Sequence, residues 1–299
     1  MSLRLPSTLL AFALLAGCAT APHQQPVVAI PTATPAPAAA PSVAANDNLN
    51  AVGWTQRAIE HDLIYLQTYR DAQSRLLTAL HDRHWDALAK SDRTTPLNGL
   101  KPAIVLDIDE TVLDNSPFEA RMVQNGHEYS EAEWAAWCRE EVARALPGAV
   151  EFTQFAAKHG IAVIYISNRA KELDQPTLAN LRKVGLPVSS AASFLGLGTV
   201  VEGCQQKGSA KGCRRQWVAR HYRVLMQFGD QLGDFVDPSA NTFAGHRQAV
   251  AAYLPWIGTR WFVLPNPTYG AWESAMFGND RSGTPAQRRQ RKIESLKIN

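Results

Sequence analysis

Asp107 and Asp109 stand two residues apart directly after the apolar run Ala103-Ile104-Val105-Leu106. An uninterrupted run of this kind, rich in β-branched residues, reads as a strand buried on both faces of a parallel sheet. Ligands of open α/β sheets bind at the C-terminal edge of the strands, which is where these acids emerge. If the extended geometry persists past Asp107, both carboxylates point the same way. Two anions so placed repel, so a cation or a shared proton is expected between them. An isolated D-x-D also occurs in solvated acidic turns, so the pair alone does not choose among metal binding, nucleophilic attack and proton transfer.

Other polar groups follow apolar runs in the same manner. Ile161-Ala162-Val163-Ile164-Tyr165-Ile166 leads into Ser167-Asn168-Arg169, whose hydroxyl, amide and guanidinium can donate to phosphoryl oxygens. Arg223-Val224-Leu225-Met226-Gln227-Phe228 leads into Gly229-Asp230-Gln231-Leu232-Gly233-Asp234. Between them the glycine-containing basic loop Gly203 to Arg215 offers two candidate cations, Lys207 and Lys211. The run Trp261-Phe262-Val263-Leu264 enters Pro265-Asn266-Pro267-Thr268-Tyr269-Gly270. The elements that must position these groups are the strands at 103–106, 161–166, 224–228 and 261–264, separated by helical stretches. They imply βα repeats and a Rossmann-like parallel sheet with its polar groups along one edge. Neither G-x-x-x-x-G-K-[ST] nor G-x-G-x-x-G is present, so a nucleotide is not expected as a cofactor.

Asp107-Ile108-Asp109-Glu110-Thr111, continued by Val112-Leu113-Asp114-Asn115-Ser116-Pro117, resembles motif I of the haloacid dehalogenase superfamily. More closely, it resembles the bacterial class C, lipoprotein-type acid phosphatases and 5'-nucleotidases of subfamily IIIB. Ser167-Asn168-Arg169 fits motif II, Lys211 ahead of Arg214-Arg215 fits motif III, and Asp230 to Asp234 fits motif IV. The resemblance covers about Asn50 to Phe277. It implies an α/β fold of the haloacid dehalogenase type, with a small, mainly helical cap inserted at about 118–147 and an N-terminal helical extension. It also implies that Asp107 attacks phosphorus and that Asp109 protonates the leaving alcohol, while Ser167 and Lys211 hold the phosphoryl group. Mg²⁺ would be held by Asp107, Asp230 and the Asp109 carbonyl, with Asp234 binding through water or positioning Lys211. Relatives commonly carry a further Asp where Gly233 stands. Asn168, Arg169, Phe118, Trp137 and Tyr269 are the substrate-side candidates. Trp134 and Trp137, three apart, fit a buried helix face as well as a base-stacking surface. The implied substrates are small phosphomonoesters, nucleoside monophosphates among them. A phosphotransferase would share every catalytic residue, and an idle scaffold that binds a ligand as a surface lipoprotein is the reading outside catalysis.

At 299 residues the chain can bury a full core, and its net charge of +3 is too small to argue for a nucleic-acid partner. Met1 to Cys18 has one basic residue and a short apolar core, which fits a signal peptide rather than a spanning helix. Leu15-Ala16-Gly17-Cys18 resembles a lipobox, implying a lipid anchor on Cys18 and a place in the bacterial cell envelope, at the outer membrane; an ordinary secretory signal is the alternative. Residues 19–49 read as a Pro/Ala-rich linker. The resemblance implies an acid phosphatase domain over residues 50–299, with N-terminal helices over 50–100 and the core from 101. Monomer and homodimer both fit the resemblance. His61, His81 and His84 read as solvated, and the basic tail after Gly278 as a solvated helix or a frayed end. Of four cysteines, a lipidated Cys18 leaves three: Cys204 and Cys213 bracket a loop in an exported chain, and the expected disulfide joins them, with Cys138 free.

Overall fold

The computed structural model describes residues 45–298; the leader, Cys18 and most of the linker lie outside the described residues. Two helices come first, α1 (Leu49–Arg57) and α2 (Ile59–His81), and β1 (Lys101–Leu106) follows. A two-stranded ribbon, β2 (Leu113–Asp114) with β3 (Arg144–Ala145), encloses α3 (Ser116–Asn125) and α4 (Glu131–Glu140). These four pieces are the cap. Then come α5 (Ala149–Lys158), β4 (Ala162–Ala170), α6 (Asp174–Lys183), β5 (Phe194–Leu197), α7 (Gly212–His221) and β6 (Tyr222–Gly229). The chain closes with α8 (Phe243–Val250), β7 (Trp261–Val263), α9 (Ala271–Met276) and α10 (Pro285–Ser295). No helix among the described residues is long and apolar enough to cross a membrane.

The five strands form one parallel sheet in the order β5-β4-β1-β6-β7. β1 lies at its centre, and its alternation decides which cluster each residue joins. Ile104 and Leu106 pack with Tyr65, Tyr69, Phe152 and Phe228 beneath α2 and α5. Ala103 and Val105 pack with Val218 and Ala219 of α7 on the opposite face. Both faces are therefore covered, which is why these strands read as continuous apolar runs.

Register carries the functional residues to one edge. Leu106 pairs with Tyr165 on one side and with Phe228 on the other. Asp107, Ser167 and Asp230 each lie one or two residues beyond this row, and the Asp107 N–H donates to the Phe228 carbonyl at 3.0 Å. β4 continues through Ser167-Asn168-Arg169 to Ala170, past the predicted end at 166. Ser167 and Arg169 thus face one way and Asn168 the other. The edge strand β5 was not among the predicted strands. His61 is buried beside Trp54 and Tyr65 rather than solvated, because its ring completes that aromatic contact. α10 buries no residue and is tied on by ion pairs such as Arg289 to Asp47 and Lys292 to Glu273.

Candidate active site

The turn after β1 places the acids. Glu110 has a φ of 54°, in the left-handed region that a non-glycine residue adopts only when its surroundings hold it there. Its N–H donates to the Leu113 carbonyl at 2.9 Å, closing the turn. The Tyr65 hydroxyl donates to the Glu110 carbonyl, and the Tyr69 hydroxyl to the Thr111 carbonyl at 2.7 Å. The Glu110 carboxylate accepts from the Asn115 N–H at 2.7 Å and from the Tyr269 hydroxyl. Burial and then the neighbouring Asp109 push this acid well above the usual carboxylate range.

Lys211 lies at the centre of the site. Its ammonium donates to Asp107 Oδ1 at 2.5 Å and to Asp234 Oδ1 at 2.6 Å, with all three side chains buried. Lys207, its competitor in the sequence, is exposed. Lys211 immediately precedes α7, so it cannot cap the helix with its own side chain. Asp237 supplies that cap, accepting from the Gly212 N–H at 3.0 Å. A Cβ on Gly212 would meet Asp237 Oδ2 at 2.4 Å, so the close approach needs glycine.

Asp107, Asp230 and Asp234 each offer a carboxylate oxygen within 4.8 Å of the others. Three hard anionic oxygens so close suit a divalent cation such as Mg²⁺. Burial first, and then the charge of Asp234, push Asp230 up to about 7. Burial likewise raises Asp107, against the pull of Lys211. The Asn266 amide donates to Asp230 Oδ2 at 2.9 Å and orients it. Gly233 has open space where a side chain would stand, and its carbonyl accepts from Arg215 at 2.6 Å. The departure from the family pattern at this position therefore leaves the outer acids in place.

Asp109 faces away from Lys211 into a separate ring of donors. Arg169 Nη2 and Nε reach its Oδ1 at 2.8 and 2.9 Å, Asn115 Nδ2 reaches the same oxygen at 2.9 Å, and the Ser167 hydroxyl reaches Oδ2 at 3.1 Å. Arg169, expected on the substrate side, is thus the counterion of Asp109. Trp137 takes the buried-face reading given for it, and Phe118 packs beside it. Both are buried, and the Trp137 indole N–H donates to Asn115 Oδ1 at 2.8 Å, turning the amide so that its NH₂ meets Asp109. Trp137 supports the acid from below because an indole N–H in the core has to find an acceptor. Trp134 and Tyr129, which pack edge-on against Phe118, are the more accessible aromatics of the cap. Tyr269 is half-buried, with its hydroxyl engaged by Glu110.

A family profile described as HAD superfamily, subfamily IIIB (Acid phosphatase), matches residues 38–272. The chain belongs to that family. Two solved structures of the class C acid phosphatase from Bacillus anthracis are similar to it. The one with tungstate bound is 33% identical with a TM-score of 0.71, covering 84% of this chain and 96% of the other. The second is 32% identical at the same TM-score and coverage. Vegetative storage protein 1 of Arabidopsis thaliana is 24% identical over 166 residues, 55% of this chain and 54% of the relative. The stem 31 kDa glycoprotein of Glycine max is 25% identical over 165 residues, 55% of this chain and 58% of the relative. The chain spans just over half the length of these curated plant relatives. The α/β fold around a five-stranded parallel sheet is that of the haloacid dehalogenase type.

Several supports of the acid phosphatase site carried no sequence signal. Tyr65 and Tyr69 belong to no motif, and nothing in their spacing sets them apart from the other aromatic residues of an N-terminal helix. Asn115, Asn266 and Glu110 stood inside the quoted stretches without distinctive spacing. Cys204 and Cys213 are joined with their Cα atoms 5.6 Å apart, and Cys138 is a buried free thiol whose pKa burial pushes up to about 12. Closing so short a loop stabilises by about 2.5 kcal/mol on the chain-entropy model. Because the loop holds Lys211, reduction is expected to lower kcat several-fold, with a melting temperature only a few degrees lower. Paired kinetic and thermal measurements with and without reductant check this, and a fall in melting temperature with kcat unchanged would refute it.

Proposed function

We propose that this acid phosphatase site hydrolyses small phosphomonoesters, nucleoside monophosphates among them, through an aspartyl-phosphate on Asp107. The observation that supports this most is the placement of Lys211 between Asp107 and Asp234, beside Asp230 and apart from the Arg169-buttressed Asp109. One carboxylate is thereby kept as nucleophile and another as proton carrier, a division that phosphoryl transfer requires. Asp107 presents an oxygen to phosphorus while Lys211 and the Ser167 hydroxyl receive the phosphoryl oxygens. Asp109 delivers its proton to the departing alcohol and then takes one from the water that cleaves the acyl phosphate. Asp107, Asp230 and Asp234 would hold Mg²⁺, which supplies charge neutralisation for the phosphoryl group. The Bacillus anthracis protein was crystallised with tungstate bound, and an oxyanion of that kind suits the same set of cations here. The half-buried Trp134 and exposed Tyr129 suit a flat leaving group such as a nucleobase. The deciding assay is release of inorganic phosphate from a panel of phosphomonoesters with and without added Mg²⁺; no release from any would reject the proposal.

Chelation is expected to abolish activity and Mg²⁺ to restore it, with Asp230→Ala weakening metal affinity more than Asp234→Ala, because Asp234 is also committed to Lys211. The pH dependence follows from Asp230. With its folded pKa raised to about 7, the metal-free protein is stabilised by that proton below the ordinary carboxylate range. This contribution is lost as pH rises through about 7. Metal takes the deprotonated form, so the rise in melting temperature on adding Mg²⁺ should be larger at pH ~8 than at pH ~5. An equal or reversed difference counts against this metal site.

We further propose that Cys18 carries a lipid anchor that holds the domain at the cell envelope, supported by the lipobox-like Leu15-Ala16-Gly17-Cys18. Cys18→Ala should move the protein from the membrane fraction to the soluble one with its specific activity unchanged. Retention in membranes would dismiss the anchor.

A further inference from the structure

Arg214 and Arg215 are adjacent and both fully buried, yet their surroundings differ. Arg215 meets two carboxylates, Asp92 at 2.6 Å and Asp237 at 2.9 Å, together with the Gly233 carbonyl. Arg214 meets none. Its Nη1 donates to the Ser167 carbonyl at 2.5 Å, and its Nη2 to Asn168 Oδ1 at 2.7 Å and to the Ser209 and Ala210 carbonyls at 3.1 and 3.2 Å. Its Nε has no partner. All of its acceptors are neutral, and among the described residues no carboxylate forms an ion pair with it. A buried guanidinium without a counterion is costly to fold around, so its retention calls for an anion that arrives later.

The neighbouring charges indicate which anion. With Asp109 carrying the proton it later donates, Asp107, Asp230 and Asp234 outnumber Lys211 and Arg169 by one, and one divalent cation turns that into a single positive charge. A dianionic phosphoryl group needs one more, and Arg214 carries it. The acceptors of Arg214 lie on the two segments that present the phosphoryl-binding groups. Ser167 belongs to one, and Ser209 and Ala210 run directly into Lys211 on the other. We infer that Arg214 is a positioning residue that sets the phosphate preference of the site: it ties the Ser167 and Lys211 segments together and reserves a buried positive charge for the dianionic phosphoryl group. It acts through these segments, since both of its terminal nitrogens are already engaged by them. The inference rests on the phosphomonoesterase reading above.

Calorimetric titration of inorganic phosphate into the Mg²⁺-loaded full chain tests it, alongside KM and kcat. Arg214→Gln should weaken phosphate binding and raise KM by about tenfold or more, with a smaller change in kcat, and Arg214→Lys should recover affinity to within about threefold. Arg214→Gln protein that melts as the wild type does and binds phosphate equally well overturns the inference while leaving the phosphatase reading intact. Wild-type protein that binds no phosphate overturns both. Should Arg214→Gln fail to fold, Asn168→Asp carries the test, because it is isosteric and sets a carboxylate against Nη2. It should weaken phosphate about tenfold more than Asn168→Leu does. Equal affinity in the Asp and Leu variants overturns the assignment.

Discussion

Asp107→Asn protein is expected to lose turnover by ~10⁴-fold or more while remaining folded. An amide is neither a nucleophile toward phosphorus nor an anionic metal ligand, so both contributions of this side chain disappear together. The fold should tolerate the change because Asp107 is one of three crowded carboxylates, and removing a charge relieves their repulsion. Lys211 keeps Asp234 as its anion at 2.6 Å. The melting temperature of the metal-free variant should therefore lie within a few degrees of the wild type. Phosphate release by purified variant protein is the measurement, and activity near the wild-type level would sink the mechanism.

Asp109→Asn should show the opposite balance, with a smaller loss of catalysis and a larger loss of stability. General acid-base catalysis contributes ~10²–10⁴-fold, and the loss should depend on the leaving group. Nitrophenyl esters, whose alcohol departs without a proton, should suffer less than alkyl esters. Stability falls because Arg169, only 1% exposed, loses the carboxylate that compensates it. Removing one partner of a buried ion pair costs about 3–5 kcal/mol, moderated here because Thr177 and Asn115 also accept from Arg169. An equal loss across leaving groups would show that Asp109 is not the acid for the alcohol.

What could be read from the sequence was whatever is local. The strands ending in Asp107, Ser167 and Asp230 announced themselves because each is buried on both faces and stops at polar residues. Their common edge followed from the parallel topology. β5 did not announce itself, since Phe194-Leu195-Gly196-Leu197 is short and interrupted by a glycine. A Cβ at that glycine would crowd the Arg169 carbonyl at 3.0 Å. The supporting hydrogen bonds were equally silent. Tyr65 reaches Glu110 across 45 positions and Trp137 reaches Asn115 across 22. Such contacts exist only after folding and leave no periodic trace. Phe118 and Trp137 were substrate candidates because aromatic residues in a cap suggest stacking, with a buried helix face the other reading for Trp137. The polar network around Asp109 required one of them beneath it instead.

The two tyrosines of α2 alter what counts as the smallest working unit of this enzyme family member. The sheet alone, starting at β1, contains all four aspartates, Ser167 and Lys211. It lacks the hydroxyls of Tyr65 and Tyr69, which hold the Glu110 and Thr111 carbonyls and so keep the left-handed bend after Asp107. A shortened form beginning at Lys101 would carry the full catalytic inventory on an unbraced bend, whereas one beginning near Asn46 keeps the brace. α2 belongs to the architecture of the site as much as the strands do.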